Sequence, residues 1–144
     1  MEKKELKILI GLHRAVNHID RQSIYIFKKH DLTMGQFAVL EVLYHKGDLT
    51  VGQVQEMILS TSGTIPVIVK NLEKREYLTR HADGQDKRRC ILHITSKGAV
   101  LMKQVYPQNE AKIIEMLDVL NDEEKNDLII LLKKIGGYNN ESND

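Results

Sequence analysis

Three adjacent cations, Lys87, Arg88 and Arg89, stand in a polar loop between two segments that have the alternating pattern of β-strands. Residues 77–80 predict a first strand, and residues 90–95, where apolar positions alternate with others, predict a second. A hairpin with cations clustered at its tip suits phosphate groups or a narrow minor groove of DNA. A hairpin that binds another protein would not need them, so the cations favour a nucleic-acid contact.

The segment before this hairpin predicts a helix with two distinct faces. Apolar residues at helical spacing form one face, namely Ile65, Ile68, Val69 and Leu72. A helix followed by a cationic hairpin is the arrangement expected of a winged helix-turn-helix, whose second helix enters the major groove. On this interpretation the residues that meet DNA are Thr61, Ser62, Thr64, Val67, Lys70, Asn71, Lys74, Arg80, Lys87, Arg88 and Arg89.

Side-chain chemistry predicts different contacts within this set. Lys70 and Asn71 can hydrogen-bond to base edges, and Val67 can contact a thymine methyl group. The recognition helix is expected to begin near Ser62 or Gly63, where hydroxyl groups can donate to phosphate at the positive helix end. Pro66 falls in its first turn, where the missing N–H is expected to bend the helix.

Other helices are predicted from their caps. Thr33 with Gln36 has the spacing of a capping box, and further caps stand at Thr50 with Gln53, Thr95, and Asn121 with Glu124. The helix after Thr33 is expected to bury a stripe made of Phe37, Leu40, Leu43 and Tyr44. The helix after Thr95 contains Pro107, which is expected to kink it. With a first helix over residues 6–29, the sequence predicts six helices and one hairpin, a mainly α fold with an antiparallel β wing.

Length and charge are those of one soluble domain. The chain has 144 residues, 42% apolar and 28% charged, enough for a core of its own. No apolar run reaches the roughly 20 residues of a membrane span, and no signal-peptide core is present, so a cytoplasmic location is expected. The net charge of +1 is uneven: residues 61–97 carry a net +4 and residues 108–144 a net −5. Only the central part is therefore expected to meet phosphate.

Four motifs occur in a characteristic order. They are Leu32-Thr33-Met34-Gly35-Gln36-Phe37-Ala38-Val39-Leu40, then Leu72-Glu73 with Tyr77-Leu78-Thr79-Arg80, then Asp86-Lys87-Arg88, and finally Ile94-Thr95-Ser96-Lys97-Gly98. Over residues 6–136 the chain thereby resembles the MarR family of winged-helix transcriptional regulators. The resemblance implies that Arg88 is the wing-tip arginine that enters the minor groove and that Asp86 orients it. Two positions depart from the family pattern: Glu76 stands where a glycine is usual, and Pro66 where a hydroxyl residue is common.

The resemblance also implies a homodimer that pairs through its terminal helices. Residues 6–29 carry more apolar positions than one core-facing stripe requires, which suits a second chain. The single domain would comprise a winged helix-turn-helix core (33–98), dimerisation helices (1–32 and 99–137) and a disordered tail (138–144). Such a dimer binds double-stranded DNA at a pseudo-palindromic site, whose half-sites lie about 10 base pairs apart.

A small-molecule inducer between the dimerisation helices and the winged module is a further implication of the family. The residues that could line this cleft are His13, Arg14, Asn17, Phe37 and Tyr44, a mixture of apolar walls and polar groups that suits an aromatic acid or a phenol. The segment 97–136 also resembles a branch of the family that responds to hydroquinones and catechols. The alternative is that His13 and Arg14 are surface or dimer-contact residues.

Other chemistry has little support in the sequence. The six histidines do not fall into a metal-binding spacing, and neither a metal nor a cofactor is predicted. Cys90, the only cysteine, is interpreted as a packing residue of the hairpin in preference to a redox-active thiol beside Arg88 and Arg89. No catalytic motif indicates an enzyme. Two functions remain: a DNA-binding repressor released by a ligand, which is favoured, and a winged-helix module that binds protein without specific DNA binding.

Overall fold

A computed structural model describes residues 3–58 and 65–136 of the chain. Its elements are α1 (Lys4–Lys28), α2 (Met34–Lys46), β1 (Leu49–Thr50), α3 (Val51–Met57), α4 (Ile65–Lys74), β2 (Leu78–Ala82), β3 (Cys90–Ile94), α5 (Ser96–Leu117) and α6 (Asp122–Gly136). The described helices are the six that the sequence predicts, in the predicted order. The predicted start of the recognition helix and the tail at 138–144 lie outside the described residues.

The helix caps form as predicted, because each depends only on residues three positions apart. The Thr33 hydroxyl accepts the Gln36 N–H at 3.1 Å, and the Gln36 amide oxygen accepts the Thr33 N–H at 3.0 Å. Equivalent bonds join Thr50 with Gln53 and Asn121 with Glu124. The Thr95 hydroxyl accepts the Gly98 N–H at 3.1 Å and so begins α5. Pro107 lies within this helix.

In the part of the chain that the structure describes, two helices end in a non-glycine residue with left-handed backbone. At the end of α4, Glu76 has φ +64°, the Glu76 N–H donates to Glu73, and the Tyr77 N–H donates to Leu72. These two bonds define a Schellman motif, in which glycine is usual at the left-handed position. Asp31, with φ +54°, closes α1 in the same way. Glu76 therefore takes the glycine conformation of the family pattern despite its side chain.

The sheet has three strands, in the order β1-β3-β2, and every pairing is antiparallel. The prediction of a two-stranded hairpin was therefore incomplete. β1 pairs Leu49 with Leu92 and Thr50 with Ile91. Two residues are too few to show an alternating apolar pattern. They form a strand only because they pair with β3, which is distant in the sequence. β2 also extends to Ala82, beyond the predicted end at residue 80.

The core joins the second half of α1 to the winged module and the first half of α5. Phe27 of α1 stacks on Phe37 of α2, with ring centroids 4.1 Å apart and planes 20° from parallel. Around this pair the buried apolar side chains are Ile26, Leu32, Val39, Leu40, Leu43, Val54, Ile58, Ile65, Val69, Leu72, Leu78, Leu92, Met102 and Val105. Tyr44 was wrongly predicted to be buried: 37% of its surface is exposed, because the buried face of α2 is centred on Val39, Leu40 and Leu43 and Tyr44 lies at its edge.

The terminal helices leave apolar surface uncovered. α6 contains no buried residue, although Leu128, Ile129, Ile130, Leu131, Leu132 and Ile135 make it strongly apolar. Leu6, Ile8, Leu9 and Ile10 of α1 are exposed in the same way. In the described ranges no helix is both long and apolar enough to cross a membrane.

Candidate nucleic-acid interface

The two faces of α4 separate as the sequence predicts. Ile65, Val69 and Leu72 are buried against the core, and Val67 on the other side is 60% exposed. Lys70, Asn71 and Lys74 are exposed as well. α4 therefore packs on the core by its apolar face. Its other face exposes the methyl groups of Val67, the amide of Asn71 and two lysines. Thr61, Ser62 and Thr64 lie outside the described residues.

The tip of the wing is built around the Asp86 carboxylate. Its Oδ1 accepts the Arg88 backbone N–H at 3.0 Å and lies 3.2 Å from the Arg88 Nε. The Arg89 Nε lies 3.8 Å from the other carboxylate oxygen. The Arg88 N–H, followed by its guanidinium, lowers the pKa of Asp86, so the carboxylate stays charged. The Arg88 side chain is nevertheless 92% exposed, so Asp86 holds its guanidinium Nε while the side chain stays open to solvent.

The remaining predicted cations differ in their surroundings. Lys87 is exposed at the tip, whereas Arg80 of β2 pairs with Glu73 of α4, Nε to Oε1 at 3.3 Å. A phosphate at Arg80 would therefore compete with a carboxylate. The pair also joins the recognition helix to the wing.

Cys90 is half-buried where β3 begins. It lines a pocket of about 550 Å³ between α3 and the wing, together with Thr50, Val51, Gly52, Gln53, Glu56, Arg88 and Arg89. This position suits the predicted packing role and also leaves the thiol beside two arginines. Among the described residues no group of three or more His, Cys, Asp or Glu side chains is arranged to hold a metal ion.

The predicted ligand residues differ in their exposure to solvent. His13, Arg14 and Asn17 are exposed on the first half of α1. Phe37 is a buried core residue and stacks on Phe27. Only Tyr44 lies beside another set of polar and aromatic groups, between α2 and α5.

Sequence reasoning missed this second set. The His45 ring is 5.2 Å from the Tyr44 ring and 4.6 Å from the Tyr106 ring. Burial raises the pKa of the Glu41 carboxyl, and burial together with a hydrogen bond to Glu110 raises the pKa of the Tyr106 hydroxyl. The signal in the sequence was weak, because these residues stand on two helices more than sixty positions apart.

One more polar group lies inside α5. The Asn109 side chain is buried, and its Oδ1 has no hydrogen-bond partner among the described residues. A buried acceptor without a donor is uncommon in folded proteins and indicates a place where a water or ligand donor fits.

A recognition helix exposed beside a cationic wing defines the class of winged helix-turn-helix transcriptional regulators. A family model described as transcriptional regulator SarA/Rot matches residues 21–105. Because that match spans more than half of the chain, the protein belongs to this family of MarR-like winged-helix regulators. Its relatives and its fold are those of regulators, not enzymes, in agreement with the sequence prediction.

Individual relatives cover nearly the whole chain. The sequence is 40% identical over 136 residues to the HTH-type transcriptional regulator MhqR of Bacillus subtilis, which covers 94% of each chain. It is 34% identical over 123 residues to the uncharacterized regulator YkoM of the same organism, covering 85% of this chain and 80% of YkoM.

Solved structures share the fold at lower identity. Bordetella bronchiseptica BpsR, whose DNA binding is regulated by 6-hydroxynicotinic acid, matches with a TM-score of 0.85 and 22% identity over 96% of this chain and 99% of its own. The organohalide-sensing regulator RdhR bound to 2,4-dichlorophenol gives 0.84 and 20%, over 94% and 80%. Staphylococcus aureus MepR in complex with DNA gives 0.79 and 23%, over 88% and 94%.

Proposed function

We propose that this regulator is a homodimeric repressor that binds a pseudo-palindromic DNA operator and is released by a small phenolic or related aromatic ligand. The observation that carries the DNA-binding part is the exposed face of α4, next to a wing whose Asp86 holds Arg88. α4 offers Lys70 and Asn71 to base edges, and Arg88 reaches the minor groove. The DNA complex of MepR, which has the same fold, supports this placement. Binding to chromosomal DNA agrees with the expected cytoplasmic location.

Dimerisation supplies the second recognition helix. The exposed apolar residues of α6 and of the first half of α1 form surfaces of the kind that a second copy covers. A two-fold axis through these helices would place two copies of α4 on one side of the DNA, about one helical turn apart. The protein-interaction alternative would use the same apolar surfaces but would leave the cations of the wing without a role.

The ligand part rests on the chemistry between α2 and α5. Tyr44, His45 and Tyr106 provide aromatic surface, and the Glu41 carboxyl can accept a phenolic O–H. The phenol-bound RdhR and the hydroxynicotinic acid response of BpsR favour a ligand of this class. His13, Arg14 and Asn17 are exposed on α1, where they can contact a ligand or a second protomer. Release requires tighter binding to the DNA-incompetent state, by about 1.4 kcal/mol for each tenfold loss of operator affinity.

The test is fluorescence anisotropy with the DNA upstream of the protein's own gene, beside a shuffled sequence of equal length, over a series of salt concentrations. We expect specific binding that weakens steeply with salt. Equal binding to both sequences would contradict an operator-specific regulator and favour the protein-interaction module. Salicylate and methylhydroquinone, titrated against the complex, test the ligand part, with Tyr44→Ala and His13→Ala variants to locate the site.

A further inference from the structure

One side chain joins the end of the recognition helix to the corner between α1 and α2. Arg75 follows directly after α4, and its Nη1 donates a 2.6 Å hydrogen bond to the Asp31 carbonyl. The same nitrogen lies 3.4 Å from the Gln36 Oε1. Asp31 closes α1, and Gln36 belongs to the capping box of α2. A single guanidinium therefore contacts the last turn of one helix and the first turn of another.

The Asp31 carbonyl is a suitable acceptor for a cation. It lies in the left-handed turn that follows α1, next to the carbonyl groups of the helix C-terminus, which carry partial negative charge. A hydrogen bond from a charged donor is shorter and roughly twice as strong as one between neutral groups. Arg75 is half-buried, so this bond is partly shielded from water. The contact therefore fixes the distance between α1 and the end of α4.

The backbone around Arg75 is also held from the other side, by the start of α5. The Arg75 carbonyl accepts a 3.0 Å hydrogen bond from the Lys97 Nζ, and the Glu76 carbonyl accepts a 2.7 Å bond from the Thr95 hydroxyl. The Tyr77 ring lies beneath both cations, 4.9 Å from the Arg75 guanidinium and 5.0 Å from the Lys97 Nζ. The end of α4 is thus clamped between α1 and α5.

Gly98 shows how close this approach is. A Cβ atom at this position would stand 2.3 Å from the Tyr77 carbonyl oxygen, nearer than any side chain can come. The first turn of α5 therefore packs directly on the backbone that leaves the recognition helix, and movement of α5 would move that backbone.

We infer that Arg75 is a positioning residue: it transmits the placement of the dimer helices α1 and α5 to the recognition helix and so fixes the spacing of the two operator half-sites. This inference rests on the proposed dimeric DNA-binding function. The cation acts through the Asp31 carbonyl, not through a phosphate. Loss of Arg75 should therefore reduce the discrimination between half-site spacings, which loss of a phosphate contact would leave in place.

The experiment measures the affinity of the full-length dimer for three operators that differ only in half-site separation: the natural spacing, one base pair more and one base pair fewer. We expect the wild-type protein to prefer one spacing by roughly tenfold or more, because each added base pair both displaces and rotates a half-site. Arg75→Gln should lower that preference at least about threefold, and Arg75→Lys, which can still reach the Asp31 carbonyl, should recover part of it.

Lys74→Gln is the matched control, since it removes the same charge from the exposed neighbouring position. It should weaken binding to all three operators and retain the spacing preference. An unchanged preference in Arg75→Gln, or an equal loss in Lys74→Gln, would overturn the positioning role. Thermal melting and sedimentation check that each variant is a folded dimer, and if Arg75→Gln does not fold, Arg75→Lys alone must show the reduced preference. Absence of operator binding by the wild-type protein would instead refute the proposed function.

Discussion

Asp86 holds Arg88 at two points: its carboxylate accepts the Arg88 backbone N–H at 3.0 Å and lies 3.2 Å from the guanidinium Nε, while the Arg88 side chain is 92% exposed. A cation held in this way loses less conformational freedom when it binds DNA. Arg88→Ala should therefore weaken operator binding about tenfold and lower the slope of log K against log salt by roughly one unit.

Lys103→Ala is the control for this change, because Lys103 is an exposed cation on α5, away from α4 and the wing. It should leave the slope of a salt series unaltered. Equal slopes for Arg88→Ala and the wild-type protein would remove Arg88 from the interface.

Asp86→Asn separates orientation from charge. Removing a negative charge near DNA should by itself strengthen binding, because fewer anions repel the phosphates. If Asp86 acts by holding Arg88, specific affinity should instead fall by about threefold to tenfold, which is about the net worth of one solvent-exposed hydrogen bond. Asp83→Asn is the matched control: its carboxylate accepts the Gln85 N–H in the same loop. Tighter binding by both variants in an anisotropy titration would refute the orienting role.

Glu76→Gly should stabilise the protein. Glu76 has φ +64°, a conformation that costs a residue with a side chain about 1–2 kcal/mol and glycine almost nothing. Part of this gain is lost to the greater freedom of glycine in the unfolded chain, so the free energy of unfolding in urea should rise by about 1 kcal/mol. Asp31→Gly, at φ +54°, should gain less, because aspartate tolerates this region better. A destabilised Glu76→Gly variant would show that the Glu76 side chain makes a contact of its own.

What could be predicted from the sequence depended on how local each feature is. The capping boxes at Thr33 and Thr50 need only residues three positions apart, and the buried face of α4 needs only its own period, so these predictions are confirmed. β1 was missed because two residues become a strand only by pairing with β3. Tyr44 was misplaced because the apolar pattern of α2 does not show where the edge of its buried face lies.

In the candidate site, too, local features could be predicted from the sequence and contacts between distant segments could not. The exposed face of α4 follows from its own helical period, and the Asp86–Arg88 contact was implied by the family resemblance; the structure shows both. Other contacts join distant segments of the chain, and no sequence pattern predicted them: the hydrogen bond from Arg75 to Asp31 and the contact between the Tyr106 and His45 rings. Contacts with DNA and with a ligand stay predictions.

A charge within the apolar face of α6 should separate the protomers. Leu131 is 54% exposed in the protomer, and Leu131→Asp would bury an unpaired carboxylate between two copies. Sedimentation at micromolar concentration should show a dimer for the wild-type protein and a monomer for this variant. Val67→Asp makes the matched change on α4: it should remain a dimer and lose DNA binding. A dimeric Leu131→Asp variant would place the interface elsewhere.

Stability should depend on pH through Glu41. Burial raises its folded-state pKa above the ordinary 4.5, so its favourable contribution is complete below that value and is lost as the pH rises through the folded-state pKa. Glu41→Gln should therefore be more stable than the wild-type protein at neutral pH, by less than about 1 kcal/mol because the group is only half-buried, and not at pH 4. Thermal melting from pH 4 to pH 7 measures this, with the exposed Glu115→Gln as control. Parallel curves for Glu41→Gln and wild type would contradict the raised pKa.

The uncovered apolar face of α6 should make the stability of the protein depend on its concentration. No side chain of this helix is buried within the protomer, so in the proposed dimer most of its hydrophobic stabilisation would come from the second copy. The apparent free energy of unfolding should then rise with protein concentration. In a cell, sparse protomers would carry a frayed helix open to proteases, while abundant ones would protect each other. Degradation would thus be fast below a threshold concentration of the regulator and slow above it, so the regulator would be either scarce and short-lived or abundant and long-lived.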